Sequence, residues 1–373
     1  MKILQVSTHL DIGGIGNYIV SLSKALRNMG QGVIVASSGG ELEEELRDSG
    51  IEHRKINIKT KFEYGPKVLI SAFNLCRIIK DEKVDIIHAH TRVSQVAARL
   101  ASGITGVPYV TTCHGFFKTR SRKIFDTWGV KVIAISNAVK AHLKDDLGVD
   151  EDRIALIYSG VDIGRFSERY SNDRIESVKR SLGLGAGPVV GSIGRLSPVK
   201  GQKFLIEAVP AVLSEAKDTE FVIVGSGPDE ATLKNLARSL GVERSVLFLR
   251  SAPDTHKFLS IMDVFVLPSV KEGLGIALLE ALVSGKACVA SKVGGISDVI
   301  DDGVNGLLIE ACKPETIAAA VLRLIKDPAL RDKLGQKGNI LAKEKFSLDM
   351  MAGNVNGLYR NILEKGKKYH EIR

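Results

Sequence analysis

Short apolar runs rich in β-branched residues recur at positions 2–6, 32–36, 85–88, 108–112, 130–135 and 153–157. Between several of them, residues 17–28, 66–80, 92–102 and 137–147 carry apolar side chains at helical spacing. Continuous apolar strands alternating with amphipathic helices predict a parallel sheet covered on both faces. The polar stretch 162–180 has little strand signal and reads as a connection. The pattern restarts at 188–194, with strands expected at 220–224, 245–249, 263–267, 287–290 and 306–309. Helices are expected at 202–215, 229–240, 253–261 and 275–284. Beyond Ile309 the chain reads as helix to its end, with breaks at Pro328 and at 335–338. The expected fold class is therefore α/β, with two Rossmann-like domains carrying parallel sheets. The first covers 1–162, the second 188–348, and 163–187 links them.

A chain of 373 residues exceeds one ordinary core, which agrees with two domains. The 44% hydrophobic and 25% charged content is that of a globular protein. No apolar run is long enough to span a membrane, and a strand at the very start argues against a signal peptide. Cys76, Cys113, Cys288 and Cys312 are far apart, which fits a reducing cytoplasm and neither a disulfide framework nor a zinc site. The net charge of +9 is uneven. Residues 53–140 hold sixteen Lys and Arg against five Asp and Glu, and the remainder is close to neutral. That field points to an anionic partner such as a membrane surface, a phosphorylated acceptor or nucleic acid; solvated helix faces are the bland alternative.

In open parallel sheets ligands bind at the carboxyl ends of strands, so the loops there carry the candidate chemistry. Residues 272–280, in a strand–loop–helix layout, place Glu272 and Glu280 eight positions apart around Gly273 and Gly275. Backbone N–H groups at the start of that helix, near 274–278, can receive a phosphate, and the acids can meet hydroxyls on either side of it. The helix dipole alone would also favour acids there. Arg195 and Lys200 flank a Pro198 turn directly after the first strand of the second half. A guanidinium fork and an ammonium suit a diphosphate and can stabilise charge on a departing one. Gly225 and Gly227 occupy another strand-to-helix turn. In the first half, Gly13, Gly14 and Gly16 resemble a dinucleotide fingerprint without its spacing, and suit backbone approach to a phosphate or sugar. His88, His90 and His114 stand at strand ends, and His114, followed by Gly115, is the best placed. No metal-ligand spacing is evident, so the cations and helix dipoles would have to hold a diphosphate.

With these motifs assembled, the chain resembles the retaining GT-B glycosyltransferases of family 4 over essentially its full length. The E-x7-E element corresponds to Glu272 and Glu280, the Arg/Lys pair to Arg195 and Lys200, and Ser159–Asp162 to the interdomain Asn-Gly-Val-Asp. The resemblance implies two domains facing across a cleft, with the last helix, 349–373, packing back on the first. It implies that Glu280 binds the donor ribose and that Glu272 contacts the transferring sugar, helped by backbone at Leu274, Gly275 and Ile276. Arg195 and Lys200 would hold the diphosphate, Gly14 and Gly225 would lie at the donor, and His114 would face the sugar near the reacting centre. Glu272, His114, Arg195 and Lys200 form the implied catalytic set. Gly13, Gly16, His90, Arg120 and Arg122 are acceptor-side candidates.

The implied reaction is metal-independent and cofactor-free hexosyl transfer with retention from a nucleoside-diphosphate sugar, UDP-sugar before GDP-mannose. The acceptor would be a glycan or lipid-linked molecule of cell-envelope polysaccharide or lipopolysaccharide biosynthesis, met at the cytoplasmic membrane face through the basic 53–140 region. Nucleic acid is then no longer an expected partner. Ser159 in place of Asn and Leu274 in place of Phe depart from the pattern and leave donor identity open. The alternatives are a GT-B epimerase or phosphorylase and a non-catalytic sugar-nucleotide-binding protein. Retention of both acids and both cations argues against the last.

Overall fold

The computed structural model describes residues 1–60, 62–117, 126–250 and 254–371. It divides into two compact units, Met1–Gly160 with Leu348–Arg373, and Val161–Ser347.

The first unit is built on seven parallel strands: β1 (Lys2–Val6), β2 (Gly32–Ser37), β3 (Glu52–Lys55), β4 (Ile86–Ala89), β5 (Tyr109–Cys113), β6 (Lys131–Ala134) and β7 (Ile154–Leu156). Their order is β3-β2-β1-β4-β5-β6-β7. Side chains alternate between two cores, as the two-residue period of a strand requires. Ile3, Val33, Val35 and Ile86 pack with the helices Gly14–Asn28 and Leu348–Glu371. Leu4, Ile34, Ala36 and Ile87 pack with the helices Pro66–Glu82 and Arg92–Thr105. From the C-terminal helix, Met351, Ala352, Val355 and Tyr359 enter the first of these cores.

The second unit carries six strands: β8 (Val189–Ile193), β9 (Glu220–Val224), β10 (Val246–Leu249), β11 (Val264–Leu267), β12 (Ala287–Ser291) and β13 (Leu307–Ile309). They are ordered β10-β9-β8-β11-β12-β13. The direction of winding reverses between β1 and β4 in one unit and between β8 and β11 in the other, where this architecture opens its binding crevice.

Several expectations change. Residues 163–187 are not a plain linker. They hold the helices Ile163–Ser167 and Asn172–Ser181, started by Asp162 and Ser171, whose side chains accept from the N–H groups of Arg165 and Arg174. The stretch belongs to the second unit. Edge strand β3, Glu-His-Arg-Lys, has no apolar pattern from which to be read. Gly335 and Gly338 do not break a helix, since Pro328–Lys345 runs through both. A Cβ at Gly335 would run into the Gly285 carbonyl, so glycine there lets two backbones touch. No helix among the described residues is long and apolar enough to cross a membrane.

Candidate functional site

Adjacency of β8 and β11 brings two distant loops together. The Val270 N–H donates to the Val199 carbonyl at 2.8 Å. Gly201, at φ 68°, has no room for a Cβ, which would strike the Pro268 carbonyl. Across this seam Lys200 Nζ lies 2.6 Å from Glu272 Oε2, which also accepts from Ser269 Oγ at 3.1 Å. One oxygen of Glu272 thus takes two donors, and Oε1 remains the oxygen that can accept from a ligand hydroxyl. The Lys200 side chain keeps 29% exposure, enough to meet an anion as well.

Arg195 is exposed at the same strand end, with no side-chain partner among the described residues. Gln202, buried, donates from Nε2 to the Arg195 carbonyl at 3.1 Å and so fixes the backbone that carries the guanidinium. Periodicity and composition do not single out Gln202; its only signal is an amide placed one residue after the loop glycine. Gly225 lies against the Gly194 carbonyl. It therefore spaces the two loops.

The helix Ile276–Val283 opens at Gly275. The Leu278 and Leu279 N–H groups already donate to the Gly275 carbonyl at 3.0 and 3.1 Å, which narrows the anion-facing N–H set to 275–277. Leu274 is 1% exposed, so its side chain packs beneath the loop and only its backbone can meet a ligand. Ile276 is half-buried. Glu280 is 9% exposed, and its Oε2 accepts from Thr255 Oγ1 at 3.2 Å. Burial pushes its carboxyl up to about 7, against smaller downward pulls from the Thr255 hydrogen bond and the Arg165 charge. Arg165 comes from the short helix that was expected to be linker.

In the first unit Gly13 and Gly14 are exposed, with open space where a Cβ would point. Gly16 is buried against the Asp11 carbonyl. It packs the loop, with no room for a side chain. His90 is internal as well. It is 2% exposed, and both ring nitrogens are engaged, Nε2 with Gln5 Oε1 at 2.6 Å and Nδ1 with His114 Nε2 at 3.2 Å. With Gln5 Oε1 accepting, His90 carries its proton on Nε2, His114 carries its own on Nε2, and His114 Nδ1 is left as an acceptor. His88 lies beneath, its Nδ1 2.6 Å from the Tyr359 hydroxyl and its Nε2 2.7 Å from Thr112 Oγ1. Burial drives His88 and His114 down to about 3 and His90 well below its ordinary value, so all three rings are neutral. His114 can accept a hydroxyl proton in a hydrogen bond; it does not act as a cation.

Arg120 and Arg122 lie outside the described residues. Hollows of 280 Å³ beside Met1 and Arg360 and of 430 Å³ beside Glu43 and His53 are lined by none of these loop residues. Among the described residues no group of three or more His, Cys, Asp or Glu side chains could hold a metal ion.

Two parallel Rossmann-like sheets, with a cation–carboxylate pair at the switch point of one, define an enzyme of the GT-B class. The model of the glycosyl transferases group 1 matches residues 174–340, and that of Glycosyltransferase Family 4 matches 12–165. The chain is 31% identical over 281 residues to UDP-Gal:alpha-D-GlcNAc-diphosphoundecaprenol alpha-1,3-galactosyltransferase of Escherichia coli, covering 71% of this chain and 72% of the relative. It is 26% identical over 378 residues to N-acetyl-alpha-D-glucosaminyl L-malate synthase of Bacillus anthracis, with 97% of each covered. A glycosyltransferase of Rickettsia africae superposes with a TM-score of 0.85 at 25% identity, over 97% of this chain and 98% of that one. The chain belongs to the group 1, family 4 glycosyltransferases.

Proposed function

We propose that this enzyme moves a hexosyl unit from a nucleoside-diphosphate sugar to a glycan or lipid-linked acceptor, with retention and without a metal, in cell-envelope polysaccharide or lipopolysaccharide synthesis. The observation that carries the reading is the Lys200–Glu272 pair at the β8–β11 switch point, with Arg195 of the same loop exposed and without a side-chain partner among the described residues. Arg195, Lys200 and the N–H groups at 275–277 bind the diphosphate. They stabilise the charge that grows on it as its oxygen leaves the sugar C1. Glu272 Oε1 accepts from a sugar hydroxyl, and ionised Glu280 accepts from the ribose; His114 Nδ1 is a hydroxyl acceptor of the first unit. The acceptor oxygen bonds to C1 on the face the phosphate leaves, and its proton passes to the leaving phosphate oxygen. Neither glutamate has to act as a glycosidase-type acid or base.

UDP-sugar is the favoured donor, supported by the UDP-Gal in the name of the Escherichia coli relative, with GDP-mannose second. The same name supports a diphosphate-linked lipid acceptor; use at an anionic membrane surface on the cytoplasmic side rests on the basic 53–140 stretch. The malate in the Bacillus anthracis relative's name shows how far acceptors range within the family. The test is nucleoside-diphosphate release from a panel of UDP- and GDP-sugars in the presence of EDTA. Release from one UDP-hexose, undiminished by EDTA, is expected. Release that requires an added divalent cation would overturn the metal-free reading, and silence across the panel would overturn the donor class.

A further inference from the structure

The helix Pro66–Glu82 is apolar on two sides. Val68, Ala72, Leu75, Cys76 and Ile79 face the core and the helix Arg92–Thr105. On the other side Leu69, Ile70 and Phe73 are 52%, 57% and 66% exposed. Phe62 and Tyr64 just before the helix are exposed as well, so five of the fifteen large apolar side chains exposed among the described residues fall within twelve positions. Internal packing accounts for the first side and not for the second.

Charge identifies what covers it. At about 100° per residue, Leu69, Ile70, Phe73, Arg77 and Lys80 share one stripe roughly 100° wide, apolar in its first turns and cationic in its last. Among the described residues Arg77, 84% exposed in its side chain, has only a loose contact with Asp81, 3.6 Å away. A second copy paired on Leu69, Ile70 and Phe73 would leave Arg77 and Lys80 without an anionic partner, whereas an anionic bilayer meets both parts of the stripe.

We propose that this face docks on an anionic lipid surface, with Leu69, Ile70 and Phe73 entering the interface and Arg77 and Lys80 meeting the headgroups. The proposal deepens the reading of a lipid-linked acceptor by naming the surface that brings the enzyme to it. None of these side chains belongs to the donor loops, so docking and donor chemistry can be measured separately.

The experiment is co-sedimentation of the full chain with phosphatidylcholine vesicles, with and without about 30% phosphatidylglycerol. Partition onto the anionic vesicles is expected to exceed that onto neutral ones by about tenfold. The triple variant Leu69→Ser, Ile70→Ser, Phe73→Ser should lose about tenfold or more of that binding. Arg77→Glu with Lys80→Glu should abolish the preference for anionic vesicles. Nucleoside-diphosphate release in vesicle-free buffer should be unchanged in both variants. Equal partition onto the two vesicle types would overturn the proposal, as would a triple variant that binds like the parent. A parent dimer that the triple variant converts to monomer, with vesicle binding unaffected, would assign the face to a second copy instead. Vesicle binding without donor turnover would leave docking standing and defeat the transferase reading; turnover without binding would do the reverse.

Discussion

Glu280 shows burial and ligand binding working against each other. The fold favours its neutral form, with the carboxyl raised from 4.5 to about 7. A ribose diol, which donates hydrogen bonds, favours the carboxylate. The contribution to stability is therefore fully present below about 4.5 and is lost as pH rises through about 7, a difference of roughly 3 kcal/mol. Glu280→Gln keeps the shape and removes the titration. Thermal unfolding should show the variant matching the parent at pH 5 and melting higher at pH 8. Calorimetric titration should show donor binding at least about tenfold weaker at pH 8. The sequence revealed both acids through their spacing across a Gly-containing turn. It did not reveal that one is paired with Lys200 while the other is buried against Thr255. That difference arises from neighbours far along the chain.

At the scale of elements, strands with continuous apolar runs were legible because a sheet buried on both faces demands them. Polar β3 and the helices at 163–181 were not, since an edge strand and a surface helix need no strong apolar pattern. The Lys200–Glu272 contact joins residues seventy-two apart. It exists because β8 and β11 are neighbours, and no local pattern encodes that order. Glycines were misread for a related reason: composition marks them as breakers, while tertiary contact decides. Gly335→Ala should cost about 1–3 kcal/mol, because its Cβ meets the Gly285 backbone. Gly357→Ala, in the C-terminal helix with open space around it, should be neutral or stabilise by about 0.5–1 kcal/mol. Chemical denaturation followed by circular dichroism distinguishes the two.

At the scale of the molecule the two units respond to acid in opposite senses. His88, His90 and His114 are held neutral by burial, so their contribution is present above about 6.5 and is lost as pH falls below it. Together they would make the first unit less stable at pH 5 than at pH 7, while Glu280 in the other unit gains. The chain has a single tryptophan, Trp128, buried in the first unit, and it reports that unit alone. The urea midpoint followed by Trp128 fluorescence should drop between pH 7 and pH 5, and a midpoint independent of pH would contradict the neutral-histidine assignment. The C-terminal helix takes part through the Tyr359 hydroxyl on His88, a contact across 271 positions that periodicity could not foretell.

The central claim is that Lys200 stabilises the departing diphosphate while holding Glu272 in place. Its most direct measurement is steady-state nucleoside-diphosphate release by Lys200→Met on the preferred donor. The account predicts kcat lower by about 100- to 1000-fold with little change in KM, because the ammonium acts on charge that develops as the bond breaks. A variant that keeps the parent kcat and merely raises KM would contradict it.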